Sequence, residues 1–67
     1  MEEGRIAAVL GAYGAARFWL DLAVQQIEMN NLAGGTKSVK MAKRAMAQGD
    51  ATMVALAMDA MGDGGVA

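Results

Sequence analysis

Residues 6–27 read IAAVLGAYGAARFWLDLAVQQI, and the spacing of the large side chains within them decides the fold class. These side chains recur at alternating intervals of four and three residues, which is the period of a helix that packs along its length. We call this set the heptad stripe, and its members are Ile6, Leu10, Tyr13, Arg17, Leu20, Val24 and Ile27. The stripe predicts a long helix at about residues 3–29 and a dimer seam along it. Its partner is either the rest of the same chain or a second copy.

Arg17 is the one charged member of the heptad stripe. Asp21 follows it by four residues, a spacing at which an ion pair forms on a helix surface. A polar residue in an apolar seam sets register at some cost in stability. We therefore expect Arg17 to be at least half-buried and paired with Asp21 or with an acid of a second copy.

The residues after the long helix predict a connection and two shorter helices. Asparagine and glycine tolerate the left-handed backbone that closes a helix, so an elbow is expected at residues 30–36. Within it, Gly34 or Gly35 is predicted to have a positive φ, and Thr36 or Ser38 to cap the next helix. The following helices are expected at about residues 37–48 and 51–61, and a flexible tail at 62–67. Alternatively, the two shorter helices are nearly continuous, with a kink at residues 49–50.

The composition supports an all-α fold in a single domain of residues 1–61. Proline is absent, 15 of the 67 residues are alanine, and valine and isoleucine together number seven. Alanine is the strongest helix former, and no alternating pattern typical of a strand is present. We predict one long helix followed by two short ones, packed as a helical hairpin in an intertwined homodimer.

The small size of the chain is the main argument for self-association. A domain of this length buries too little surface for a robust core, and small scaffolds usually add disulfides, a metal or a second subunit. Cysteine and histidine are both absent, which removes disulfides and most structural zinc sites. Residues 51–61 are also almost entirely apolar, as expected for a helix that contacts a partner.

The stretch GGTKS at residues 34–38 resembles the end of a phosphate-binding loop. A P-loop requires glycine directly before the lysine and a strand before the loop. Thr36 occupies that glycine position and a helix precedes it, so a P-loop is excluded. An anion site at a helix N-terminus remains as the alternative to a simple elbow.

Four of the six cations lie in residues 37–44 of a chain whose net charge is −1. This segment is either a solvated helix face or a surface for an acidic protein or a nucleic acid. No aromatic residue lies among the cations to stack on a base, which disfavours nucleic acid. Methionine is typical of permissive binding surfaces. The candidate partner-binding residues are Trp19, Met53, Met58, Met61, Lys37, Lys40, Lys43 and Arg44.

The residue inventory predicts binding rather than catalysis. Without histidine or cysteine, and with one serine and one tyrosine, the chain has few groups for acid–base or nucleophilic chemistry. No catalytic residue, cofactor or metal is expected. The acidic N-terminus and the short uncharged stretches predict a cytoplasmic protein without a membrane partner. The predicted function is a homodimeric interaction module that binds and modulates a larger protein, such as a phage or bacterial regulator or inhibitor; the alternative is binding of nucleic acid or a small anion through residues 37–44.

Overall fold

The fold is a hairpin of two antiparallel helices. The computed structural model describes residues 2–65, and the side chains of residues 3–61. Helix α1 spans Glu2–Glu28 and helix α2 spans Leu32–Gly65. The hairpin measures 56 × 17 × 11 Å, and its smallest dimension is about one helix diameter. The all-α class and the hairpin are confirmed, and each helix has a neighbour on one side only.

Helix α2 is continuous, so the prediction of two short helices is wrong; of the alternative, the continuity is confirmed and the kink at residues 49–50 stays a prediction. The helix does not break at Gly49. Glycine at this position instead permits a close contact with α1. Gly49 is buried, and a Cβ at this position would lie 2.8 Å from Cε1 of the Tyr13 ring. The roughly 1 kcal/mol that glycine costs within a helix is offset by this close approach. The tail predicted at 62–67 is helical as far as Gly65, and residues 66–67 lie outside the described residues.

The connection is only three residues long, and an asparagine closes α1. Asn30 has a φ of 63°, and none of the described glycines has a positive φ. The Asn30 N–H donates to the carbonyl of Ile27, and the Asn31 N–H donates to the carbonyl of Gln26. These two bonds form a Schellman motif with Asn30 in the left-handed position. The positive φ predicted at Gly34 or Gly35 is therefore wrong, since both lie within α2.

Asn31 caps α2, which corrects the prediction of Thr36 or Ser38. Its side-chain Oδ1 accepts from the Gly34 N–H at 3.0 Å, as an N-cap asparagine does. Both predicted caps lie inside the helix and bond elsewhere. The Thr36 hydroxyl donates to the carbonyl of Leu32 at 2.8 Å, and the Ser38 hydroxyl donates to Oε1 of Gln26 at 2.5 Å.

The two asparagines give a testable prediction about the connection. Asn30→Val should cost about 1–2 kcal/mol in the free energy of unfolding, because a β-branched side chain opposes the left-handed backbone. Asn30→Gly should be nearly neutral. Asn31→Ala should cost about 1 kcal/mol through loss of the cap. Urea unfolding followed by circular dichroism measures all three; equal effects of Asn30→Val and Asn30→Gly would contradict the assigned geometry.

The helices meet along a seam of small side chains. Val9, Ala16 and Ala23 of α1 are buried at intervals of seven residues, and so are Gly35, Ala42 and Gly49 of α2. Half-buried residues fill the intervening positions, including Ala12 and Trp19 on α1 and Ala45 and Thr52 on α2. Small residues at heptad spacing let two helices approach closely, which increases dispersion contacts between them.

Polar contacts connect the helices at three levels of the seam. Arg5 and Asp59 form an ion pair at 2.6 Å near the open end. The Tyr13 hydroxyl donates to Asp50 at 2.5 Å near the middle, and Ser38, only 2% exposed, bonds Gln26 near the connection. Because these contacts lie at both ends and the centre, they fix the antiparallel register.

Most of the apolar surface stays outside this seam. Among the residues with described side chains, the buried hydrophobic ones are Val9, Ala16, Ala23 and Ala42. The accessible surface of the chain is 5085 Å², whereas a compact monomer of this mass exposes about 4,000 Å². The hairpin therefore exposes roughly 1,000 Å² more than a compact protein of its size.

Candidate functional site: an outer apolar face and a cationic groove

The heptad stripe borders the contact between α1 and α2 and does not form its centre, although Tyr13 and Ile27 touch α2 at Gly49 and Gly35. The buried residues of α1 each come one position before a member of the stripe, as Val9 precedes Leu10 and Ala23 precedes Val24. One residue rotates the side chain by about 100° around the helix. The stripe therefore lies beside the seam, and all its members except the half-buried Tyr13 are exposed.

Helix α2 adds a parallel row of residues to the same side of the hairpin. Tyr13 follows the α1 seam by one residue, Asp50 follows Gly49 by one residue, and the two side chains are hydrogen-bonded. Residues that follow the seam on either helix therefore border one side. We call this surface the outer apolar face; it contains the heptad stripe (Ile6, Leu10, Tyr13, Arg17, Leu20, Val24 and Ile27) with Val39, Lys43, Met46, Asp50 and Met53 of α2.

Arg17 lies near the centre of the outer apolar face and is exposed. Its predicted half-burial is not found in the single chain. Among residues with described side chains, the ion pair found is Arg5–Asp59, so the predicted pair with Asp21 is also absent. Pairing of Arg17 with an acid of a second copy stays a prediction.

Asp50 perturbs the ionisation of Tyr13 on this face. The hydrogen bond that the phenol donates to the carboxylate raises the pKa of Tyr13, with smaller contributions from desolvation and from the charge of Asp50. The bond holds the aromatic ring over Gly49. Tyr13 thus connects the helices both by packing and by a polar contact.

Titration of the single tyrosine tests this contact. The folded pKa of Tyr13 is raised above its ordinary value of about 10, so its contribution to stability is present below that pH and is lost as the pH rises through the folded pKa. Asp50→Asn should bring the midpoint of the tyrosinate absorbance change down towards the ordinary value. A midpoint that Asp50→Asn leaves unchanged would contradict the contact.

A groove of about 490 Å³ lies on the opposite side of the hairpin, near the connection. Leu22 and Met41 on its floor each precede a buried seam residue, so they border the side away from the outer apolar face. Phe18 packs edge-on against Trp19, with 5.5 Å between ring centroids. We call this site the cationic groove, and it is lined by Trp19, Leu22, Gln26, Gly34, Lys37, Ser38, Lys40, Met41 and Arg44.

The groove brings together four of the eight candidate partner-binding residues. Trp19 joins Lys37, Lys40 and Arg44, whose i, i+3, i+7 spacing places them on one face of α2. The other four do not line the groove. Lys43 and Met53 each follow a seam residue and belong to the outer apolar face, whereas Met58 and Met61 are exposed towards the open end of the hairpin.

Leu22 and Met41 are groove residues that were not among the candidates. Their sequence signal is the position directly before Ala23 and Ala42. This position indicates the groove only once Ala23 and Ala42 are known to lie in the seam between the helices. Leu22 is half-buried and Met41 is exposed, so part of the groove floor is open to a ligand.

The GGTKS stretch lies in the first turns of α2 and does not form a loop. Gly34 and Gly35 serve close packing. A Cβ at Gly34 would lie 2.8 Å from Nε2 of Gln26, and one at Gly35 would lie 2.9 Å from Cγ1 of Ile27. Since Asn31 already accepts from the Gly34 N–H, one of the free N–H groups that an anion site would use is occupied.

The charges of the hairpin are separated along its length. The interhelical contacts place residue 13 level with residue 50 and residue 26 level with residue 38. The half that contains the connection, residues 15–48, therefore holds five cations and two acids. The open half, residues 2–14 and 49–65, holds five acids and one cation. The hairpin has a basic half and an acidic half.

Helix α1 also meets the size and composition of a membrane span. Over Glu3–Glu28 it is long enough, and its most apolar window has a mean hydropathy of 1.3. Arg17 and Asp21 lie in its middle turns, and both are exposed.

Comparison with known proteins found no matching family model, no matching curated protein and no matching solved structure.

Proposed function

We propose that this protein is a non-enzymatic interaction module that forms a homodimer through its outer apolar face and binds and modulates a larger protein. The observation that carries the proposal is the row of large apolar side chains that are exposed on that face. Two helices that pack through alanine and glycine leave their larger side chains, such as Leu10 at 68% exposure, directed elsewhere. Exposed apolar side chains grouped on one face are typical of an interaction site.

The exposed area agrees with a dimer of ordinary size. The hairpin exposes roughly 1,000 Å² more than a compact monomer, and a standard interface buries about 800 Å² on each partner. Since α1 and α2 already pack within one chain, the dimer we propose consists of two stacked hairpins and is not intertwined. Stacking the outer apolar faces gives a four-helix bundle with a conventional core.

The separation of charge favours an antiparallel dimer. In this arrangement the basic half of each hairpin lies over the acidic half of the other, whereas a parallel dimer would bring like halves together. The centre of the hairpin lies near residue 15 of α1. An antiparallel two-fold axis there places Arg17 of one copy opposite the Tyr13–Asp50 pair of the second copy. Asp50 of the second copy is then the acid that Arg17 lacks within its own chain.

Burial of α1 in a membrane explains the observations less well. Arg17 and Asp21 would enter the hydrocarbon region on exposed surface of the helix, and each charge costs about 2.5–3.5 kcal/mol at its centre. In the antiparallel dimer Arg17 instead meets an acid. We therefore propose a cytoplasmic protein without a membrane partner.

The second candidate function is binding of nucleic acid or a small anion through residues 37–44. The observation in its favour is the alignment of Lys37, Lys40 and Arg44 along one groove. Two features weigh against it: the floor of that groove is apolar, and the whole chain has a net charge of −1.

Affinity capture from a cell lysate tests the two functions against each other. The immobilised protein should retain a protein partner after nuclease treatment, because the interaction we propose does not pass through nucleic acid. Recovery that nuclease abolishes and raised salt weakens steeply would support the second function, since phosphate contacts are highly salt-sensitive.

A further inference from the structure

We propose that the cationic groove binds an acidic amphipathic helix of the partner protein. The inference deepens the proposed function, because it assumes that the protein binds another protein and names the chemistry of what is bound. Its basis is the combination of an apolar floor and a cationic edge in one open groove.

The floor suits apolar side chains at helical spacing. Trp19 and Leu22 lie about one turn apart on α1, and Met41 lies level with Leu22 on α2, so an indole, a branched chain and a thioether line about one turn of the hairpin. Methionine adapts to different partner shapes, and tryptophan often anchors a binding site. An amphipathic helix that lies in such a groove inserts apolar residues i and i+3 or i+4 into the floor.

The edge selects the charge of the occupant. Lys37, Lys40 and Arg44 extend over about 10 Å of α2, and among the residues with described side chains no acidic one lines the groove with them. Three cations in a row match carboxylates spaced three or four residues apart on a bound helix. A bare phosphate backbone would match the edge but not the apolar floor, so the observations favour a peptide.

The position of the groove permits both interactions at once. In the sequence, Leu22 and Met41 of the groove each come directly before a seam residue, whereas residues of the outer apolar face come directly after one. The two surfaces therefore lie on opposite sides of a layer one helix thick. A homodimer therefore presents two outward grooves. Two linked grooves bind a partner with two acidic helices more tightly than one groove does.

Fluorescence of Trp19, the single tryptophan, tests the proposal on the full chain. The probe is a synthetic helical peptide with leucine at every third or fourth position and glutamate on both flanks. The reference peptide has glutamine in place of each glutamate. The glutamate peptide should bind about tenfold more tightly at low salt, and raised salt should reduce the difference because these charges are exposed.

Matched variants locate the binding site. The triple variant Lys37→Gln, Lys40→Gln and Arg44→Gln should lose about tenfold in affinity for the glutamate peptide. Lys43→Gln lies outside the groove, on the side of α2 that carries the outer apolar face, and should keep the peptide affinity of the unmodified chain, while its sedimentation shows whether the dimer is retained. Circular dichroism and sedimentation of each sample report helicity and mass. If the unmodified chain is a dimer of native helicity and does not bind the glutamate peptide, the groove proposal alone is refuted. If the unmodified chain is a monomer, the proposed dimer is refuted.

Three results would overturn the groove proposal. The first is equal affinity for the glutamate and glutamine peptides. The second is a loss with Lys43→Gln as large as with the triple variant. The third is tighter binding of a single-stranded oligonucleotide or of anionic lipid vesicles than of the peptide, lost in the triple variant; either would assign the groove to phosphate groups.

Discussion

Val24→Glu is expected to convert the protein from a dimer to a monomer. Val24 lies on the outer apolar face and is 55% exposed in the single hairpin. A two-fold dimer buries this position twice, so two carboxylates would lose their hydration, each opposite the acidic half of the other copy. Each such burial costs several kcal/mol, and the dissociation constant should rise at least about a thousandfold. Size-exclusion chromatography with light scattering measures the change in mass.

Val54→Glu is the matched control for this experiment. Val54 is also valine and is 56% exposed, but it lies midway between the seam residues Thr52 and Leu56, on the back of α2. The dimer should persist in this variant. If Val54→Glu dissociates the dimer and Val24→Glu does not, the interface lies on another face.

Ala16→Leu is expected to give the largest loss of stability within the hairpin. Ala16 is 1% exposed at the centre of the seam, where α1 and α2 are separated only by small side chains. A leucine must push the helices apart or adopt a strained rotamer, which typically costs about 1–3 kcal/mol. For a chain of this size that corresponds to a fall of roughly 5–20 °C in the melting temperature, measured by circular dichroism at a fixed protein concentration.

Ala15→Leu tests whether the effect comes from the seam. It adds the same side chain one residue earlier, at an exposed position, and exposed substitutions usually change stability by less than about 0.5 kcal/mol. Equal losses from Ala15→Leu and Ala16→Leu would show that the small-residue seam does not hold the hairpin together.

The sequence was sufficient to predict the helical class and the extent of α1, but not which side of α1 packs on α2. The heptad stripe is easy to recognise because most of its members are large and apolar. Large apolar side chains favour burial, but they do not show whether α2 or a second copy buries them. The contact with α2 instead follows small residues, which carry little signal in a chain with 15 alanines. The contact could have been inferred from small residues that recur every seven positions, which are Ala16 and Ala23 on α1 and Gly35, Ala42 and Gly49 on α2.

The glycines explain the errors at the connection and at residue 49. Glycine at a predicted boundary indicates either a backbone that needs a positive φ or a close approach of a neighbour. At Gly35 and Gly49 the reason is close approach, to Ile27 and to Tyr13. Single-sequence patterns do not separate the two roles, because the neighbour lies on the other helix.

Only the part of the candidate site that lies on one helix was predictable from the sequence. The spacing of Lys37, Lys40 and Arg44 places them on one face of a helix, and the structure confirms that they line one groove. Trp19 and Leu22 reach that groove only through the register of the hairpin, which the contact between Ser38 and Gln26 helps to set. That register depends on both helices together.

Sedimentation equilibrium of the unmodified chain over a range of concentrations measures whether two copies associate, as the proposed dimer through the outer apolar face requires. We expect a mass of twice the 6.9 kDa of one chain, with dissociation towards the monomer only on dilution. A mass of 6.9 kDa at every concentration, in a sample that circular dichroism shows to be helical, would contradict it.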